Sequence, residues 1–165
     1  MRETAWAPAR RAEGLLIERP RLVARALAAR GQALISGDLE AAVAGLAPGA
    51  PLLGLYALAP TGAHALRIAR DRALLVTPAP LGAIGGRDFW FATSVDDGWA
   101  AVEVEGADAP CALAQGTAAD LDAGSPSAAA RFADMRCLIL RTDSGFRLHV
   151  EAPWLEALLA WLEAF

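Results

Sequence analysis

Four side chains are the natural candidates for metal or nucleophile chemistry: Cys111, Cys137, His64 and His149. They are scattered singly, whereas a structural zinc site takes its thiolates and imidazoles from closely spaced pairs. There is no Cys-x-x-Cys, no His-Glu-x-x-His and no Gly-x-Ser-x-Gly elbow. All 15 cationic side chains are arginine and none is lysine. That excludes a P-loop lysine and any Schiff base formed on a lysine of this chain. Leu81-Gly82-Ala83-Ile84-Gly85-Gly86 is glycine-rich. It follows Pro78 and Pro80 and leads to Arg87-Asp88 rather than into a helix, so it reads as a loop and not as a dinucleotide fingerprint. Asp96-Asp97 before Gly98 is turn chemistry, and Asp120 and Asp122 around Leu121 read as a loop or cap pair. His149 is expected to face outward from its strand. No catalytic, cofactor-binding or metal-ligating residue is assigned to this chain.

The elements that would position these residues follow from pattern. Residues 1–19 show no clean period and read as an N-terminal arm, with 20–165 as a single α+β domain. Pro20 to Gly31 reads as a helix with Leu22, Val23, Ala26 and Leu27 on one side. Asp38 is expected to cap a second short helix through Leu39, Val43 and Leu46, ended by Pro48-Gly49. Pro51 to Ala59 is strand-like. His64–Arg70 and Ala73–Thr77 read as a hairpin closed by Asp71-Arg72. Pro78 to Asp97 reads as irregular, with Phe89-Trp90-Phe91 inside it.

The final stretch is the most orderly. Trp99–Glu105 alternates as a strand, and Asp108 with Pro110 opens a helix ending at Gly116. Ala118–Ala130 reads as loop. Arg136–Thr142 is apolar on both faces and therefore central in its sheet. Asp143-Ser144-Gly145 turns into Phe146–Glu151, and Pro153 opens a helix to Phe165. On that helix Trp154, Leu155, Leu158, Leu159, Trp161, Leu162 and Phe165 share an arc of about 160°. The order implies α+β, with helices packed on mostly antiparallel sheet.

Apolar residues make up 55% of the 165, charged residues 21%, and the net charge is −4. This acidic balance argues against nucleic-acid binding, although Arg10, Arg11, Arg19, Arg21, Arg25 and Arg30 cluster near the start. The uncharged stretch Ala73–Gly86 is broken by prolines and glycines, and no bilayer-spanning helix is expected. Arg10-Arg11 leads into too short an apolar stretch for an export signal, and two thiols suit a reducing compartment. The expectation is a cytoplasmic protein with both cysteines reduced and buried. A composition this apolar with no membrane span suggests a surface partly covered by other subunits.

Five stretches resemble, in order and spacing, the gamma subunit of heterotetrameric sarcosine oxidase. They are Arg70-Asp71-Arg72-Ala73-Leu74-Leu75-Val76-Thr77-Pro78, then Ala101-Val102-Glu103-Val104-Glu105-Gly106, then Gly116 with Asp120-Leu121-Asp122. Phe146-Arg147-Leu148-His149-Val150-Glu151 and Leu159-Ala160-Trp161-Leu162 complete the set. The resemblance runs from near Arg67 to the end. It implies the folate-binding aminomethyltransferase (glycine cleavage T-protein) fold, in a complex with alpha, beta and delta subunits. It also implies FAD, FMN, NAD and tetrahydrofolate in the larger partners, and zinc in delta. Such complexes oxidatively demethylate sarcosine or a related N-methyl amino acid, and the resemblance implies a gamma chain without an active site. The alternative is a stand-alone folate-binding protein of the same fold.

Overall fold

The computed structural model describes residues 13–28, 31–82, 84–120 and 122–165. Eleven strands form two sheets among these residues. The six-stranded sheet contains β1 (Gly14–Arg19), β2 (Leu22–Ala26), β8 (Trp99–Glu105), β9 (Ala129–Phe132), β10 (Met135–Arg141) and β11 (Gly145–Glu151), in the order β1-β2-β8-β11-β10-β9. The five-stranded sheet contains β3 (Gly31–Gly37), β4 (Leu52–Leu53), β5 (His64–Ala69), β6 (Arg72–Thr77) and β7 (Trp90–Ser94), in the order β4-β5-β6-β3-β7. Every pairing is antiparallel except β4 with β5. Three α-helices complete the fold: α1 (Leu39–Leu46), α2 (Ala109–Gly116) and α3 (Leu155–Ala164).

The side-chain alternation of the strands stacks these parts into four layers. Val102, Val104, Phe146, Leu148, Val150, Cys137 and Ile139 face α2 and α3. Ala33, Ile35, Ala65, Ala73, Leu75 and Ala92 face α1. Leu66, Leu74 and Val76 meet Trp99, Leu138 and Leu140 between the two sheets. β10 therefore buries both faces, as its sequence requires: Cys137 and Ile139 point to the helices, Leu138 and Leu140 to the other sheet. Burying each such leucine contributes about 1.5–3 kcal/mol of transfer free energy.

The helices start where their sequences provide for it. The Asp38 carboxylate accepts from Ala41 N at 3.0 Å and caps α1. Pro110 occupies the first turn of α2, where its missing N–H costs nothing. Asp108 sits at the N-cap of α2 but makes no capping bond; it accepts instead from Arg21 Nε at 2.9 Å. That bond ties α2 to the β1–β2 turn and holds the Asp108 carboxyl below its ordinary pKa, while the same pairing raises Arg21.

Several expectations are corrected. Gly14–Arg19, assigned to the arm, is edge strand β1; residues 1–12 lie outside the described residues. The helix expected over Pro20–Gly31 is β2, paired antiparallel with both β1 and β8. Leu22, Ala24 and Ala26 are its buried face, an alternation that alanine hides from a sequence reading. Pro20 and Arg21 form a turn, not a helix start. The strand expected over Pro51–Ala59 shortens to Leu52–Leu53. Beyond it the chain crosses to the six-stranded sheet, with Tyr56 N bonded to Ile139 O at 3.0 Å and Tyr56 at φ 59°. β7 lies inside the segment expected to be irregular, and β9 begins within the last two residues of the expected Ala118–Ala130 loop.

Candidate interaction surface

Of the four candidates for chemistry, His64 and His149 are brought together and the two cysteines are not. Cys111 is exposed on α2, against the expectation that both thiols are buried, because it lies on the side of the helix away from Ala112 and Leu113. Cys137 is fully buried in β10, and burial pushes its thiol up to about 12. The Asp120 carboxylate accepts from Asp122 N at 2.9 Å, a local turn bond; Leu121 lies outside the described residues. Asp96 accepts from Gln32 N at 2.8 Å. The glycine-rich segment around Gly82, Gly85 and Gly86 has no regular structure at its described residues, and Ala83 lies outside them. Of the arginine cluster, Arg10, Arg11 and Arg30 also lie outside. Among the described residues no group of three or more His, Cys, Asp or Glu is placed to hold a metal ion. No described helix is long and apolar enough to cross a membrane.

The polar residues that do converge lie between the sheets. His149, expected to face outward, is 2% exposed because the five-stranded sheet covers that side of β11. Its ring stands edge-on to that of His64, with centroids 6.3 Å apart. His64 is fully buried and its Nδ1 lies 2.8 Å from Gly62 O. Nearby, Arg147 on β11 meets its cross-strand neighbour Glu103 at 2.7 Å and reaches Pro60 O. Gln32 clamps the two sheets: its Nε2 donates to Trp99 O at 2.8 Å, and its Oε1 accepts from Trp99 N at 3.1 Å. Gln32 joins the two sheets directly, and Arg147 reaches from β11 to the segment before β5. A burial reading from one strand alone cannot find them, since it does not know that a second sheet lies on the polar face.

The aromatics divide between core and surface. Trp90 packs half-buried against the α1 layer, and Trp161 against Phe132 and Phe165. Leu155, Leu158, Leu159 and Leu162 of α3 are buried. Phe89, Phe91 and Trp154 are exposed by 80%, 63% and 51%. Phe91 lies beside a groove of about 580 Å³ where the five-stranded sheet runs past the end of its partner. Leu34, Ile68, Val95 and Trp99 line it, with Arg72 and the Arg136–Glu151 ion pair. The groove has apolar walls, with Arg72, Arg136 and Glu151 as its charged residues. It has none of the converging acid, base and nucleophile that a reaction centre needs.

No protein-family model matches the sequence, and no curated protein matches it. A solved structure does match: a chain of the heterotetrameric sarcosine oxidase from Corynebacterium sp. U-96, in complex with pyrrole 2-carboxylate. The superposition has a TM-score of 0.68 and covers 86% of this chain and 81% of that one, at 19% sequence identity. The two chains share a fold. It is α+β, with largely antiparallel sheets and helices packed on their outer faces. At 86% coverage the likeness reaches N-terminal to Arg67, beyond the stretch that the motif resemblance spans.

Proposed function

We propose that this chain is a gamma-like structural subunit, without a reaction centre of its own, in a heterotetrameric flavin-dependent complex of the sarcosine oxidase kind. The observation that carries this reading is the fold shared with a chain of such a complex over most of both lengths. Two features support it. The motifs that resemble the gamma subunit fall on β6, β8, β11 and α3, the elements that build both sheets and their helical cover. The exposed phenylalanines and the apolar groove give the chain a surface that a partner subunit could cover.

In this reading the partners are alpha, beta and delta subunits. They would hold FAD, FMN, NAD, tetrahydrofolate and zinc, and would oxidise sarcosine or a related N-methyl amino acid. The contribution of this chain is a rigid platform: two sheets tied by the Gln32 bonds to Trp99 and by the Arg147 bond to Pro60 O, offering one apolar face. Co-expression with the alpha, beta and delta subunits from the same genome, followed by size-exclusion chromatography, tests the proposal. The expected result is a single peak containing all four chains, with flavin absorbance in that peak and none in the purified isolated chain. Elution of this chain apart from the others, or flavin bound stoichiometrically to it alone, would overturn the reading.

A further inference from the structure

We infer that the overhanging face of the five-stranded sheet docks a partner subunit presenting an apolar side chain next to a carboxylate. The inference rests on the proposed function and names where the assembly contact lies.

Register defines the face. Leu34 pairs with Leu74 on one side and with Thr93 on the other; one step further, Ser36 pairs with Arg72 and with Phe91. These side chains share the face that, nearer the other end of the strands, meets the six-stranded sheet. Leu74 is fully buried there, whereas Leu34 is 36% exposed and Phe91 63% exposed. The sheet thus continues an apolar packing surface past the end of the layer that covers it.

Charge identifies the occupant. Two cations line the groove, Arg72 and Arg136. Arg136 is paired with Glu151, but Arg72 has no ion pair among the described residues. A guanidinium beside leucine, isoleucine and tryptophan attracts an acceptor that arrives with its own apolar surface. Burial of that contact excludes water and strengthens the pairing. Arginine and large aromatics are also the residues most enriched at the centres of protein interfaces. Phe89, 80% exposed in the turn just before β7, would form the rim.

The test uses the full chain co-expressed with the alpha, beta and delta subunits, with Arg72→Glu and Phe91→Ser as variants. Both positions are exposed, so circular dichroism of the variants should match the wild type. Each variant is expected to weaken assembly about tenfold or more, and amide exchange across 89–94 should slow about tenfold on assembly. A complex that forms with unchanged affinity in both variants, and unchanged exchange across 89–94, overturns the docking face while leaving the proposed function standing. Protection of 89–94 in the isolated chain beyond what its ladder with β3 gives, and unchanged on assembly, would assign the face to residues 1–12 of the same chain. Protection that rises with the concentration of this chain alone would assign it to a second copy. Failure of any complex to form removes the proposed function and this face with it.

Discussion

Gln32 is the residue whose substitution tests the two-sheet architecture most sharply. It is 5% exposed, and its amide makes two bonds to the backbone of Trp99, itself 7% exposed, at 2.8 and 3.1 Å. The side chain acts as a peptide group would, donating to a carbonyl and accepting from an N–H across the sheet interface. Gln32→Leu removes both partners and leaves the Trp99 N–H and C=O buried without bonds. Each orphan costs about 1–3 kcal/mol, partly offset by the greater hydrophobicity of leucine, so a net loss of about 2–4 kcal/mol is expected. For a chain of this length that lowers Tm by roughly 5–15 °C. Gln32→Glu separates the bonding argument from mere packing. Ionised, the new carboxylate cannot donate to Trp99 O; protonated, it can donate and accept as the amide does. Burial and the facing carbonyl raise its folded-state pKa above the unfolded value. The stabilising form is therefore fully present below the unfolded pKa and is lost as pH rises through the folded one. Urea denaturation followed by circular dichroism should find Gln32→Glu much less stable than wild type near pH 7 and closer to it near pH 4. A gap that is equal at both pH values, or a Gln32→Leu variant within about 0.5 kcal/mol of wild type, would refute the clamp.

Four further outcomes are expected. Cys111 should react with a thiol reagent in the folded chain and Cys137 only after unfolding. Because the Cys137 thiol is raised from 9.0 to about 12, the unfolded chain loses this proton first. Stability should fall by up to about 1.4 kcal/mol per pH unit above about pH 9, a slope absent in Cys137→Ala; equal slopes would contradict the burial argument. Gly106 has φ 107° and faces the Arg21 carbonyl closely enough that a Cβ would collide with it. Gly106→Ala should cost about 2 kcal/mol or more in chemical denaturation. Ala133 and Asp134 form the two-residue β9–β10 turn with φ of 46° and 65°, the region that asparagine tolerates and alanine does not. Ala133→Asn should raise stability by about 0.5–1 kcal/mol by the same assay, and a loss would show that Ala133 is held by packing.

Where hydrophobic period and turn chemistry agreed, the sequence was readable. The β5–β6 hairpin, β8, β10, β11 and α1 through α3 fall close to where their patterns place them. It misled where alanine and glycine blur the period. Ala24 and Ala26 carry the buried face of β2 with side chains too small to announce it, and in β9 Ala129 and Ala130 are half-buried on opposite faces, leaving Phe132 as its one fully buried residue. The contact surface was half legible. The Phe89-Trp90-Phe91 run was visible as aromatic, but strand alternation turns Trp90 toward α1 and leaves both phenylalanines outside. His149 was misplaced because a polar residue on an alternating strand reads as solvent-facing, and only the second sheet shows otherwise.

Native mass spectrometry of the complex purified through a tag on the alpha subunit tests the central claim most directly. The account predicts one species whose mass is the sum of alpha, beta, delta and this chain at equal stoichiometry, with all flavin retained when this chain is stripped away. A complete, active assembly that never contains this chain would contradict it.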